Sequence, residues 1–396
     1  MSVRRICVWG TSLRKLADEA QVIAFIQIVS RRFPGARITM FSQYGPLLTQ
    51  RLGEERLRVT TIRTADLLRV VPALARCNLF VLEGGPFYEE LSQALRCWLL
   101  VGIAKLFRRP VIAYAATAFH FKTWWGRALY RTLFNCMESV TVREPIGQEI
   151  IKALGIKREV ELFADPRFVL EPVPLARVRA ILVSEGIDPD RPLIGITTRY
   201  LHPGIPAWVK RSHGYTDADV ERANDVMAKA TVHLGGLAQL VLLPMHPTLE
   251  EDRATAAIIR SHLRDPSQLN VLSHRYGALE ALGIIRHCEL VFASRVGSAV
   301  FATVTGTPLV AVAYEPRMRD HMERIGLGAY VVDWNAMQAD ELIRMIDGVW
   351  MSRQRVKTEL SASMARVRQL AWRNADVLER FLDGHAPQDV VTCASA

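Results

Sequence analysis

The stretch VFASRVGSAVFATVTGTPLVAVAY, Val291–Tyr314, reads as a short apolar strand, a turn presenting Arg295, a helix of mostly small residues, and a second apolar strand. Parallel strands need a helical crossover between them, so this pattern is one repeat of a parallel sheet. Outward from it, the same alternation fills both halves of the chain. RRICVWG, ARITMFS (Ala36–Ser42), CNLFVLEGG, RRPVIAYAATA, SVTVRE and EVELFAD are the strand candidates of the first half, and Asp18–Arg32 is its first long helical pattern. Leu193–Thr198, LAQLVLLPMH, NVLS, ELVFAS and PLVAVAY continue the series, with a helix around Asp217–Leu234. Strands alternating with helices of this length predict parallel sheets covered on both faces.

Between the halves, Pro172, Pro174, Pro189 and Pro192 collect around one helical piece, as at a domain junction. The expected fold is therefore α/β, with two doubly wound Rossmann-like domains facing across a cleft. The expected divisions are residues 1–175, residues 190–350, C-terminal helices over 351–384 that cross back onto the first domain, and a flexible tail over 385–396. Ligands of such folds sit outside the carboxyl ends of the strands.

A chain of 396 residues, half of them hydrophobic, can bury more than one core and excludes disorder for most of its length. Its six cysteines form neither a CxxC pair nor a cluster at metal spacing, which suits reduced thiols in a cytoplasmic protein without a metal site. The start MSVRRICVWG enters a strand instead of the apolar core of a leader, and no uninterrupted apolar segment reaches about 18 residues. CWLLVGIAKLF, Cys97–Phe107, reads as a buried helix; the following Arg108 and Arg109 also suit an interfacial patch on the inner face of a membrane. The net charge of +10 favours anionic partners. Nucleic acid is the poorest of these, because the basic residues are scattered and no reader motif interleaves them with aromatics.

Strand ends concentrate cationic and small residues: Arg199 after LIGITT, Arg295 after ELVFAS and His246 after LVLLPM. Arginine presents a rigid fork of donors to carboxylate and phosphate oxygens, so Arg199 and Arg295 together would suit one small acid bearing both groups. Ser298 and the helix that follows Arg295 add an N-terminus whose open amides also favour an anion. Each arginine alone is equally an ordinary ion-pair residue. His202, in RYLHPG, could carry a proton at neutral pH, and His246 could instead be a turn residue. Gly84 and Gly85 allow a close backbone approach or a plain turn, Asp165 in LFADPRF suits a strand-to-turn role, and Asp252 reads as a solvated helix-start carboxylate. The dinucleotide, Walker and GxSxG patterns are missing.

In order along the chain, KLADEA (Lys15–Ala20), LEGGPFYEE (Leu82–Glu90), SVTVREPIGQEIIKALGI, FADPRFVLEP, IGITTR, LLPMHPTLEED, SRVGSAVFA and GTPLVAVAYEPR resemble the polysaccharide pyruvyl transferase family. The resemblance implies a two-domain arrangement like the GT-B glycosyltransferases. It also implies transfer of the enolpyruvyl unit of phosphoenolpyruvate, a substrate and not a cofactor, onto two hydroxyls of a sugar or lipid-linked glycan, giving a pyruvate ketal. Arg199 and Arg295 match the family arginines that hold the donor. The departures are specific. Gly297 stands where the family carries a histidine, Lys15 and Ala17 replace asparagine and glycine beside a retained Asp18, and the triple glycine has become Glu83, Gly84 and Gly85. Glycine cannot transfer a proton, which leaves His202, His246 or Glu83 to supply it. Two alternatives stay open: a nucleotide-sugar glycosyltransferase, and an anion-binding partner protein without turnover.

Overall fold

The computed structural model describes residues 3–10, 15–42, 59–85, 87, 89–118, 120–198, 216–245 and 249–382, with the side chains of 249–252 excepted. The chain divides into two compact units, Met1–Leu170 with Arg366–Ala396, and Glu171–Ala365.

In the first unit β1 (Arg5–Trp9), α1 (Leu16–Arg32), β2 (Arg37–Phe41), β3 (Val59–Ile62), α2 (Leu67–Arg76), β4 (Leu79–Glu83), α3 (Leu91–Leu106), β5 (Val111–Ala116), α4 (Trp124–Asn135), β6 (Ser139–Val142), α5 (Pro145–Lys152) and β7 (Val160–Leu162) follow in order. The strands form one parallel sheet in the order β3-β2-β1-β4-β5-β6-β7. The second unit contains α6 (Leu175–Ser184), β8 (Leu193–Thr197), α7 (Asp217–Gly235), β9 (Gln239–Leu242), α8 (Leu249–His262), β10 (Leu269–Val271), α9 (Ala278–His287), β11 (Leu290–Ala293), α10 (Val296–Thr305), β12 (Leu309–Ala313), α11 (Pro316–Arg324) and β13 (Val331–Asp333). Its sheet, also parallel throughout, runs β10-β9-β8-β11-β12-β13.

The central strands are predominantly apolar because helices cover both faces, and every residue of β4, β5, β8, β11 and β12 is buried, including Glu83, Tyr114 and Thr197. Helix ends follow local chemistry. Asp18 and Glu19 open α1 and Arg31 and Arg32 close it, matching the helix dipole. The Thr216 hydroxyl and the Asp219 carboxylate cap α7 reciprocally.

The 34-residue α12 (Ala339–Trp372) brings the chain back to the first unit, where α13 (Asn374–Leu382) packs on α1. Glu379 pairs with Arg32 at 2.6 Å, Arg380 grips both oxygens of Glu161 on β7 at 2.9 Å, and the Arg31 guanidinium lies 4.4 Å from the centre of the Trp372 ring.

The helix expected at Cys97–Phe107 begins earlier, at Leu91, and the buried reading holds for one face only. Ala94, Cys97, Leu100, Val101 and Ala104 enter the core, while Leu95, Leu99, Leu106 and Phe107 are exposed. The apolar run alone could not separate those faces.

Candidate functional site

Doubly wound sheets bind ligands where the strand order reverses, outside the carboxyl ends of the two strands that diverge there. In the second unit these strands are β8 and β11, paired with Ile196 beside Phe292 and Thr197 beside Ala293. The chain leaves β8 through Thr198 towards Arg199, and leaves β11 through Ser294 to Arg295. Arg199, His202 and His246 lie outside the described residues.

Arg295 occupies the N-cap position of α10 with extended backbone (φ −106°, ψ 125°) and makes no side-chain cap. Its carbonyl accepts the amides of Ser298 and Ala299 at 3.0 and 3.1 Å. Arg295, Val296 and Gly297 are half-buried, and the first turn carries no acid. A helix start without a side-chain cap, with a guanidinium on its first residue, is electropositive and offers donors to an anion. Ser298 faces inward. Its fully buried hydroxyl accepts from Thr197 at 2.8 Å and donates to the Arg295 carbonyl at 2.7 Å. It thereby ties the end of β8 to the mouth of α10. Thr198, also buried, has a hydroxyl with no hydrogen-bond partner among the described residues.

The first unit reverses between β1 and β4, with Trp9 beside Leu82. Gly10 and Glu83 therefore come together. A Cβ on Gly10 would stand 2.2 Å from the Glu83 carbonyl oxygen and 2.9 Å from its Oε2, so only glycine lets the two chain segments approach this closely. Glu83 is fully buried. Withdrawing a carboxyl group from water costs free energy unless hydrogen bonds or opposite charges compensate it. Gly84 has φ 75°, in the left-handed region that favours glycine; its amide donates to Tyr114 at 3.0 Å and its carbonyl accepts from Thr117 at 2.8 Å. Gly85 has room for a side chain, since a Cβ there would make ordinary contacts of 3.5 Å with Thr117.

Strain and unsatisfied polarity accumulate beside this point. Ala115 has φ 47° where the β5–β6 register shifts, and its amide donates to the Thr141 hydroxyl at 2.9 Å. Tyr114 and Thr117 are buried with hydroxyls that find no hydrogen-bond partner among the described residues, and neither amide atom of buried Gln21 finds one. Gln21 lies one turn before Phe25 on α1, and the Phe25 ring meets Tyr114 edge-on at 5.2 Å. Burial, then the charges of Glu83 and Asp165, push the Tyr114 phenol well above its ordinary value, so it remains a donor.

Asp165 caps a short 3-10 turn, Pro166–Val169, and is clasped by Arg167, with Nη2–Oδ2 at 2.5 Å and Nε–Oδ1 at 2.9 Å; Arg143 approaches at 3.5 Å. Burial alone would raise the Asp165 carboxyl, but Arg167 overrides it and holds the group well below the usual carboxylate range. Burial opposes the Arg167 charge, but Asp165, then Glu144 and Asp18, outweigh it and raise the guanidinium, which joins Asp18 on α1 to the same charge cluster. Lys15 stands at the N-cap of α1. Its carbonyl accepts the amides of Asp18 and Glu19 at 3.0 Å, and its side chain is exposed without capping the helix.

Glu83, Gly84 and Gly85 thus gather at one reversal point, Arg295 and Ser298 at the other, and Asp18 and Asp165 around Arg167. Sequence reasoning passed over Gln21, Tyr114 and Thr117. The signal available for two of them was a tyrosine and a threonine in the otherwise apolar VIAYAATA. It also passed over His274, three residues beyond β10, where burial and then Arg253 lower the imidazole below its ordinary value.

The family described as polysaccharide pyruvyl transferase matches residues 18–316. The amylovoran biosynthesis protein AmsJ of Erwinia amylovora is 23% identical over 318 residues, 77% of this chain and 74% of that protein. Among solved structures, a glycosyltransferase from Rickettsia africae superposes with a TM-score of 0.64 at 10% identity, covering 97% of this chain and 100% of that one. HepE of Anabaena in complex with UDP gives 0.62 at 13% identity, covering 97% and 100%. ADP-heptose heptosyltransferase II of E. coli gives 0.53 at 16%, covering 88% and 99%. At these identities the structural likenesses concern the fold, two Rossmann-like domains of the GT-B type.

Proposed function

The chain belongs to the polysaccharide pyruvyl transferase family and is a polysaccharide-modifying transferase, and we propose that it moves the pyruvyl group of phosphoenolpyruvate onto two hydroxyls of one sugar residue. The family implies a small-molecule donor and a glycan acceptor. The observation that carries the proposal is Arg295 on the N-cap of α10, at the reversal of the second sheet, with no acid in the first helical turn.

In this reading Arg295 and the open amides of α10 hold the donor anion, Arg199 from the adjoining strand end supplies the second guanidinium, and Ser298 positions the helix mouth without touching the donor. Protonation of C3 of the donor turns its methylene into a methyl group and leaves C2 electrophilic. One sugar hydroxyl adds to C2, the C2–O bond to phosphate breaks, and the second hydroxyl closes the ketal. Two hydroxyl protons are released; one balances the proton gained at C3 and the other leaves with phosphate. Positive charge beside the departing phosphate stabilises that step. Within the second unit His202 and His246 are the candidates for supplying the proton to C3, since the α10 turn offers only Val296 and Gly297 at the family's histidine position. Gly84 and Gly85, with Lys15, Asp18 and Asp165 on the loops around the reversal point of the first sheet, are assigned to the acceptor side, and the Glu83, Tyr114 and Thr117 side chains are buried beneath that point.

The absence of a titratable side chain at position 297 favours one second reading, a nucleotide-sugar donor on the same framework. Calorimetric titration separates the two. Binding of phosphoenolpyruvate that Arg295→Ala weakens about tenfold or more supports pyruvyl transfer, whereas tight binding of UDP with no response to phosphoenolpyruvate supports the second.

A further inference from the structure

The side of the first sheet that carries α2, α3 and α4 is closed inward and left apolar outward. These helices pack side by side and share one core with β1, β4, β5 and β6. On α3, at about 100° per residue, the buried Ala94, Cys97, Leu100, Val101 and Ala104 occupy one arc, and the exposed Leu91, Leu95, Leu99 and Leu106 fall within about 80° of each other on the opposite arc. A helix apolar on both faces needs an apolar phase on each, and among the described residues only the inner one is supplied. The neighbours extend the outer patch: Leu68 at the start of α2 is 89% exposed and Trp124 at the start of α4 is 82% exposed.

Charge selects the occupant. The three helices carry Arg69, Arg76, Arg96, Lys105, Arg127 and Arg131 and no carboxylate of their own; Asp66 at the N-cap of α2 pairs with Arg69 at 3.6 Å and Glu138, beyond α4, pairs with Lys105 at 2.5 Å, so the positive surplus rests on Arg76, Arg96, Arg127 and Arg131. Arg96 lies beside the leucine arc. On the other face of the sheet α1 and α13 mix both signs, with Asp18, Glu19, Asp376 and Glu379 beside their arginines. An isologous dimer through the α3 face would set cations against cations. Nucleic acid would leave the leucines without an apolar partner. A bilayer with anionic headgroups satisfies both features, since leucines and tryptophan enter the acyl boundary while the arginines meet phosphate. No helix among the described residues is long and apolar enough to cross a membrane, and the inner face of α3 already belongs to the core.

We infer that the outward face of α3, with the first turns of α2 and α4, seats this protein on an anionic lipid surface. The inference does not depend on the identity of the donor. The test is co-sedimentation of the full chain with vesicles of phosphatidylcholine, with and without phosphatidylglycerol, at low and high salt. The expected result is binding that requires phosphatidylglycerol, weakens with salt, and falls about tenfold or more in Leu95→Glu/Leu99→Glu and in Arg96→Glu/Arg127→Glu. Leu68→Glu, almost wholly exposed and on a different helix, should weaken binding without moving the thermal midpoint, which separates lost docking from lost folding. The inference is overturned if the wild-type chain stays in the supernatant with phosphatidylglycerol vesicles, or if the leucine variants pellet like wild type. A wild-type dimer that these variants dissociate, with vesicle binding unchanged, would also overturn it.

Discussion

Replacing Ser298 by alanine removes one hydroxyl that makes two bonds, and the structure says what each is worth. The Arg295 carbonyl keeps its amide donors at 3.0 and 3.1 Å, so its loss sits near the low end of the usual range, about 0.5 kcal/mol. The Thr197 hydroxyl keeps only a 3.4 Å approach to the Phe292 carbonyl, so a buried donor is left poorly satisfied at a cost of about 1–3 kcal/mol. Together these give about 1.5–3.5 kcal/mol, which for a unit of this size lowers the melting point by roughly 3–14 °C. The same change releases the start of α10 from the end of β8, so affinity for phosphoenolpyruvate should fall as well. Arg295→Ala is the comparison: it leaves the Ser298 bonds to the Thr197 hydroxyl and the residue-295 carbonyl in place, so affinity should fall while the melting point falls less than in Ser298→Ala. Thermal unfolding by circular dichroism and calorimetric titration of phosphoenolpyruvate, run on both variants, separate the two effects. Ser298→Ala that melts with wild type and binds the donor unchanged would refute the positioning argument.

Arg295→Ala should weaken donor binding by about tenfold to a hundredfold, the worth of a charge-assisted contact, and Arg295→Lys should recover part of that loss, because the charge returns without the fork; titration with phosphoenolpyruvate reads both. Gly10→Ala places a methyl group 2.2 Å from the Glu83 carbonyl oxygen, so the ends of β1 and β4 must part; the expected cost is about 1–3 kcal/mol in urea unfolding, with acceptor-dependent turnover falling further than donor binding. Asp165→Asn leaves the Arg167 charge buried without its partner and should cost about 3–5 kcal/mol, read as a lower denaturant midpoint. The pH dependence follows the same pair: the native carboxyl titrates below the unfolded one, so the contribution is full above about pH 4 and is lost as pH falls further. Melting temperature against pH should show that acid slope in the wild type and a shallower one in Asp165→Asn.

The alternation of apolar runs with helical patterns was enough to read two parallel, doubly wound sheets, because buried parallel strands leave a nearly continuous apolar signature. Arg295 at a helix mouth was equally legible, since strand, arginine and helix are adjacent in the chain. The part played by Ser298 was not, because Thr197 is a hundred residues away and becomes its neighbour only through the pairing of β8 with β11. Gly10, and its close approach to Glu83, escaped notice for the same reason: nothing local says that β1 will lie beside β4. Tyr114 and Gln21 look like core residues in their own segments, and the want of hydrogen-bond partners appears only once helix α1 covers the sheet. In Cys97–Phe107 composition announced an apolar helix and withheld which of its faces meets protein.

The most direct test of the account follows both products of the reaction. The protein is incubated with phosphoenolpyruvate and a panel of oligosaccharides, and released phosphate is measured against pyruvate ketal detected by nuclear magnetic resonance of the sugar product. The account predicts one ketal for each phosphate, with both lost in Arg295→Ala. Phosphate release without ketal, or inertness towards phosphoenolpyruvate while a nucleotide sugar is consumed, would contradict it.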